Sequence, residues 1–228
     1  MEPSQLRKAL IVALKAAAVP TRAPQMQSYM KSDMPYLGVA APQLKAITRT
    51  LFKDLTFVSR REWQEAVLAI WNGAKFREER YSAIQLTSHR SGRAFQIPST
   101  LKLYEKMIVS GAWWDYVDSL ASHEVGSLVR AYPKELKPIM LKWSTCPNLW
   151  KRRTAILCQL SAKEDLDLPF LYKCIEPSIE SPEFFLRKGI GWALRQVAWR
   201  DPKAIIRYVQ ENHTRLSPLS QREALKNL

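Results

Sequence analysis

Ser181-Pro182-Glu183-Phe184-Phe185-Leu186-Arg187-Lys188-Gly189-Ile190-Gly191-Trp192-Ala193-Leu194-Arg195-Gln196-Val197-Ala198-Trp199-Arg200-Asp201-Pro202 reads as one helix held between two start signals. Ser181-Pro182 and Asp201-Pro202 each place a capping side chain before a proline. Proline suits the first helical position, where its missing N–H has no intrahelical acceptor anyway. The same signal recurs outward. Pro42, Pro133, Pro147, Pro182, Pro202 and Pro218 all precede apolar-periodic runs, and Ser217-Pro218 repeats the cap. Pro147 to Pro182 is 35 residues, Pro169 to Pro202 is 33, and Pro182 to Pro218 is 36. Two helices per period in the middle thirties predict an all-α chain, an α-solenoid of helical hairpins. One hairpin cannot cover its own apolar face, so neighbours stack and the stack leaves a concave surface. An irregular bundle is the plainer alternative.

Helices are expected near 3–18, 22–31, 42–53, 59–73, 76–90, 98–110, 114–131, 133–145, 147–161, 168–179, 182–199, 201–211 and 217–226, with short loops. No linker or composition shift divides residues 1–228, so a single domain is expected. Only 7 of 228 residues are glycine, the residue helices tolerate least after proline. Apolar residues make up 46%, enough for a sizeable core.

Lys and Arg number 35 against 21 Asp and Glu, a formal charge of +14. That excess favours a polyanionic partner, nucleic acid being the commonest, and predicts a basic groove. A generic solubilising charge is the alternative. Cys146, Cys158 and Cys174 are odd in number with no close pair, against a disulfide framework or a zinc site. His89, His123 and His213 lack ligand spacing, and no metal or cofactor is expected. Residues 1–19 carry Lys8 and Lys15 inside an amphipathic run and read neither as a signal peptide nor as a membrane span. A reduced, soluble, cytoplasmic protein without membrane contact is expected.

No Gly-rich loop followed by Lys and Ser or Thr is present, and no local nucleophile signature. Three constellations remain. In Trp113-Trp114-Asp115-Tyr116-Val117-Asp118, Trp114 and Asp118 lie four apart and share a helix face. Asp115 reads as a first-turn acid, and Trp113, about 100° from Trp114, as core. Trp63, Trp71, Trp143 and Trp150 take the core reading as well. In Leu149-Trp150-Lys151-Arg152-Arg153-Thr154-Ala155-Ile156, three cations open a helix against its macrodipole, which asks for an anion such as phosphate; a solvated charge run is the alternative. In the opening stretch, Lys188, Trp192, Arg195 and Trp199 fall at i, i+4, i+7 and i+11, an aromatic row interleaved with cations. Gly189 and Gly191 there permit close approach of a packed helix or a nucleic-acid strand.

These three stretches, in this order, resemble the AlkD-like family of DNA alkylation repair glycosylases, built from HEAT-like repeats. Tyr29-Met30-Lys31, Pro35-Tyr36-Leu37-Gly38-Val39, the run from Gln43 to Leu51, and Arg77-Glu78-Glu79-Arg80 are similar to its N-terminal pattern. The resemblance implies excision of N3- and N7-alkylated purines from double-stranded DNA without flipping the base into a pocket. It implies a catalytic Asp118, with Trp114 and Trp192 flanking the deoxyribose. It implies phosphate contacts from Arg153, with Arg152, Lys188 and Arg195 as further DNA-binding residues and Tyr29 near the lesion.

Such chemistry suits these residue types. A purine alkylated at N3 or N7 is cationic and leaves as a neutral base, so no general acid is needed. The sugar gains oxocarbenium character, which a carboxylate and indole faces stabilise. A monomer suits a protein that clasps a duplex. Two other classes stay open: a non-catalytic DNA-binding relative that reads damaged or branched DNA by shape, and a helical-repeat adaptor for proteins.

Overall fold

The computed structural model describes residues 2–228. Helices account for the regular structure, and no strand occurs among the described residues. The chain packs as two compact units, residues 1–96 and 97–228. The boundary falls between two short 3-10 turns, Arg90–Phe95 and Pro98–Thr100, with no linker.

The first unit holds α1 (Pro3–Ala16), α2 (Ala23–Met30), α3 (Ala41–Phe52), α4 (Arg60–Gly73) and α5 (Arg77–Thr87). Leu6, Leu10 and Leu14 recur every four residues on α1 and are fully buried against α4, which contributes Trp63, Val67, Ile70 and Trp71. Ser59 starts α4 by accepting a hydrogen bond from the Glu62 N–H at 3.2 Å. The stretch Pro35 to Val39 locks onto the start of α5. Oε1 of Glu78, which is fully buried, accepts from the backbone N–H groups of Leu37 (3.0 Å), Gly38 (2.9 Å) and Val39 (3.1 Å). Arg77 Nε donates to the Tyr36 hydroxyl at 3.1 Å. Gly38 has φ +84°, and a Cβ there would stand 2.1 Å from the Val19 carbonyl oxygen, so only glycine fits. These two motifs are therefore one structural joint.

The second unit holds α6 (Leu101–Gly111), α7 (Trp114–Ser119), α8 (Gly126–Ala131), α9 (Pro133–Ser144), α10 (Leu149–Leu157), α11 (Leu168–Ile175), α12 (Phe184–Ala198), α13 (Pro202–Glu211) and α14 (Pro218–Ala224). The expected helix 114–131 is continuous, but residues Leu120–Val125 form a π-helical turn between α7 and α8. The extra residue per turn re-aims everything after Asp118.

Two of the proline start signals are displaced. α12 begins at Phe184, and the Ser181 hydroxyl turns the chain before it by accepting from the Glu183 N–H at 3.3 Å. α10 begins at Leu149, where Asn148 Oδ1 accepts from the N–H groups of Trp150 (3.1 Å) and Lys151 (3.0 Å). A side-chain acceptor with two donors in reach defines the start better than a proline that only tolerates one. The period survives this correction. α9, α11 and α13 start at 133, 168 and 202, and α10, α12 and α14 at 149, 184 and 218, so both series step by 35 and then 34 residues. α10, α12 and α14 pack in succession, and α9 packs beside α11, which gives the stacked-hairpin arrangement of this unit. Ile156, Leu157, Leu171, Ile175, Leu186, Ile190, Leu194, Ile205 and Val209 form its buried seam. No helix of the described residues is long and apolar enough to cross a membrane.

Candidate active site

The centre of the second unit is an ion pair between α7 and α10. Asp118 and Arg153 are 8% and 3% exposed. The guanidinium grips both carboxylate oxygens: Nε donates to Oδ1 at 2.6 Å and Nη2 to Oδ2 at 2.7 Å. This is the fork-to-fork geometry in which arginine binds carboxylates most strongly. Nη1 donates to the Phe185 carbonyl oxygen at the start of α12. One arginine thus ties three helices together. Its path is open because residue 189 has no side chain; a Cβ there would stand 3.0 Å from Nη1. Burial raises the Asp118 carboxyl above its ordinary pKa, against the pull of the Arg153 guanidinium.

Trp114 stands one helical turn before Asp118 and is half-buried. Trp192 is half-buried against the core of the unit. At about 100° per residue, Gly189 lies about 40° to one side of Phe185 on α12, and Trp192 about 20° to the other. Lys188 and Arg195 lie about 60° and 80° round on that second side. Trp192 therefore sits between the edge of α12 that meets Arg153 and the edge that carries the two cations. Trp113 joins a separate aromatic cluster. Its ring centroid lies 6.3 Å from Trp150 and 5.6 Å from Phe185, and Trp150 and Phe185 are 5.1 Å apart. Trp150 is buried as expected, with Trp63, Trp71 and Trp143, while Trp113 stays half-buried at the edge of its cluster. Trp199 is 69% exposed and continues the row into solvent.

The cations that the sequence reading directed to phosphate find partners within the chain. Lys151 pairs with Glu105 at 2.5 Å and lies 4.9 Å from the Trp143 ring centroid. Arg152 donates to the Ser178 hydroxyl through Nε (3.1 Å) and Nη2 (2.9 Å) and to the Pro177 carbonyl at 3.3 Å. Lys188 and Arg195 share Glu223 of α14, at 2.6 and 2.8 Å. The unfavourable position of three cations at the start of α10 is thus offset by neighbouring helices, and no external anion is needed to account for it. The two-way reading of the glycines also resolves: Gly189 clears Arg153, and Gly191 clears α14, where a Cβ would stand 2.5 Å from that of Glu223.

Asp118, Arg153, Trp114, Trp192, Lys188, Arg195 and Arg152 all lie in the second unit. Tyr29 lies on α2 in the first unit and is 76% exposed. Sequence reasoning missed Glu223, Glu105 and the Phe185 carbonyl. A signal existed for the first, because Asp118 to Arg153 and Lys188 to Glu223 are both 35 residues apart, one step of the repeat. Among the described residues no group of three His, Cys, Asp or Glu side chains could hold a metal ion. All three cysteines are free; Cys158 is buried and its thiol pushed up to about 12.

A family model described as DNA alkylation repair enzyme matches residues 10–228. Among solved structures, a predicted DNA alkylation repair enzyme from Enterococcus faecalis is 30% identical, with a TM-score of 0.83. The match covers 92% of this chain and 96% of that one. No curated protein matches.

Proposed function

Because the chain belongs to the family of DNA alkylation repair enzymes, we propose that it is a DNA glycosylase of the AlkD-like, HEAT-repeat kind, releasing N3- and N7-alkylated purines from duplex DNA. The observation that carries the reading is Asp118. It is a nearly buried carboxylate, clamped through both oxygens and one helical turn from a half-exposed indole. As the bond to a cationic purine breaks, the base leaves neutral and the positive charge passes to the sugar. Asp118 offers that sugar a fixed negative charge, and Trp114 and Trp192 offer the negative faces of their rings. Water completes the hydrolysis, either directed by Asp118 or after direct attack by the carboxylate. Arg153 positions Asp118. Two of its five N–H hydrogens remain outside the three bonds described, and these are what it would offer a phosphate. On this reading Lys188, Arg195 and Arg152 exchange their partners within the chain, Glu223 and Ser178, for phosphates of the strand, and Tyr29 of the first unit is a further DNA contact. The reaction uses no cofactor, and the protein works as a monomer, inside the cell, with DNA.

The same clamp favours a second reading, in which Asp118 is structural and the chain recognises damaged or branched DNA without cutting it. Single-turnover release of 7-methylguanine from methylated DNA, followed by chromatography of the free bases, separates the two. Wild type releases the base, and Asp118→Asn is slower by about 10²–10³-fold. Equal rates would end the catalytic reading. Uracil and other neutral lesions should be left in place, because a neutral base needs a proton to leave and this reading assigns no residue as general acid.

A further inference from the structure

The cations of the second unit that the sequence singled out are all engaged within the chain. A row of exposed cations at regular spacing lies on α3 of the first unit. Leu44, Thr48 and Phe52 recur every four residues and are buried, which fixes how the helix is turned. One residue further on, Lys45, Arg49 and Lys53 recur at the same spacing and are all exposed. None of their side chains meets a carboxylate among the described residues, and α3 has no acid in its first turn. Arg90, also exposed, extends the row by donating from Nη2 to the Lys53 carbonyl oxygen at 2.7 Å, at the C-terminal end of the helix. Asp54, which follows Lys53, forms no ion pair with the row.

Like charges four apart repel along a helix, and the macrodipole compensates only near the C-terminus, at Arg49, Lys53 and Arg90. Lys45 has no such compensation. Four cations kept in line at that cost suit a linear polyanion. Successive Cα atoms in the row are about 6 Å apart at 1.5 Å rise per residue. Phosphates follow each other every ~3.4 Å of rise along one strand of duplex DNA, so long Lys and Arg side chains can each meet one.

We propose that α3 is a docking rail for the DNA sugar-phosphate backbone, with Lys45, Arg49, Lys53 and Arg90 each neutralising a phosphate independently of any lesion. The inference rests on DNA being the partner, but not on the chemistry assigned to Asp118. Its test is the salt dependence of binding to undamaged duplex DNA, read by fluorescence anisotropy. Each phosphate contact contributes about 0.9 to the slope of log affinity against log salt. The triple variant K45Q/R49Q/K53Q should lose about 2.7 of slope, and Arg49→Gln alone about 0.9. The control K106Q/K134Q/K203Q removes the same charge from exposed positions of the second unit and should leave the slope unchanged. An unchanged slope in the α3 variants, an equal fall in the control, or a loss of binding to single-stranded RNA but not to duplex DNA would each overturn the rail. If the slope falls as expected while base release proves indifferent to Asp118→Asn, the rail stands and the glycosylase reading fails.

Discussion

Gly189 stands directly against Arg153: a methyl group at position 189 would lie 3.0 Å from Nη1 and 3.7 Å from Cζ of the guanidinium. The arginine cannot move aside freely, because its other nitrogens hold the two oxygens of Asp118. Gly189→Ala should therefore loosen the carboxylate clamp. Alanine is also the better helix former by about 1 kcal/mol, which offsets the crowding in stability but not in geometry. Base release should fall about tenfold or more, with the melting temperature within about 4 °C of wild type. Parallel single-turnover and thermal-melting measurements check this, and a large loss of stability with unchanged release would contradict it.

Gly191, two residues on, should behave in the opposite way. A Cβ there would stand 2.5 Å from Glu223 Cβ and 2.9 Å from the Ser220 carbonyl oxygen, both fixed close to the backbone of α14. Gly191→Ala must push α14 away from α12. A destabilisation of about 1–3 kcal/mol is expected from denaturant unfolding.

The pH dependence of base release should report Asp118. The reactive form is the carboxylate, so the rate falls as pH drops through the pKa. Burial raises that pKa above the ordinary 3.8, so the acid limb should lie above 3.8. Arg153→Met removes the opposing pull and should move the limb further up. For stability the sign is reversed: a raised carboxyl pKa means folding favours the neutral acid. The contribution of this group is complete below its unfolded value and is lost as pH rises through the folded one. A rate profile flat down to pH 3.8 would count against an essential Asp118 carboxylate.

In the first unit, Glu78→Ala would strip the acceptor from the N–H groups of Leu37, Gly38 and Val39. Each buried donor left unsatisfied costs about 1–3 kcal/mol, so a loss of about 3 kcal/mol or more is expected in denaturant unfolding. A loss below 1 kcal/mol would show that water replaces the carboxylate.

Much of the architecture was legible because it follows from local rules. Caps such as Asp201 and Ser217, prolines in first turns and apolar residues every three or four positions act within one turn of helix, and they revealed the helices and their period. The placement of Trp114 one turn before Asp118 is likewise a property of a single helix. What the sequence alone could not decide is which side chains meet across helices. Arg153, Lys151 and Arg152 look alike in a row. Only the packing of α6, α7, α11 and α12 around α10 gives the first to Asp118, the second to Glu105 and the third to Ser178. Conversely, Lys45, Arg49 and Lys53 look unremarkable in the sequence, and only the burial of Leu44, Thr48 and Phe52 leaves them exposed together. Periodicity determines which face of a helix is apolar, but the neutralisation of a charge depends on distances of a few ångströms between segments tens of residues apart in sequence, and these exist only once the hairpins have stacked.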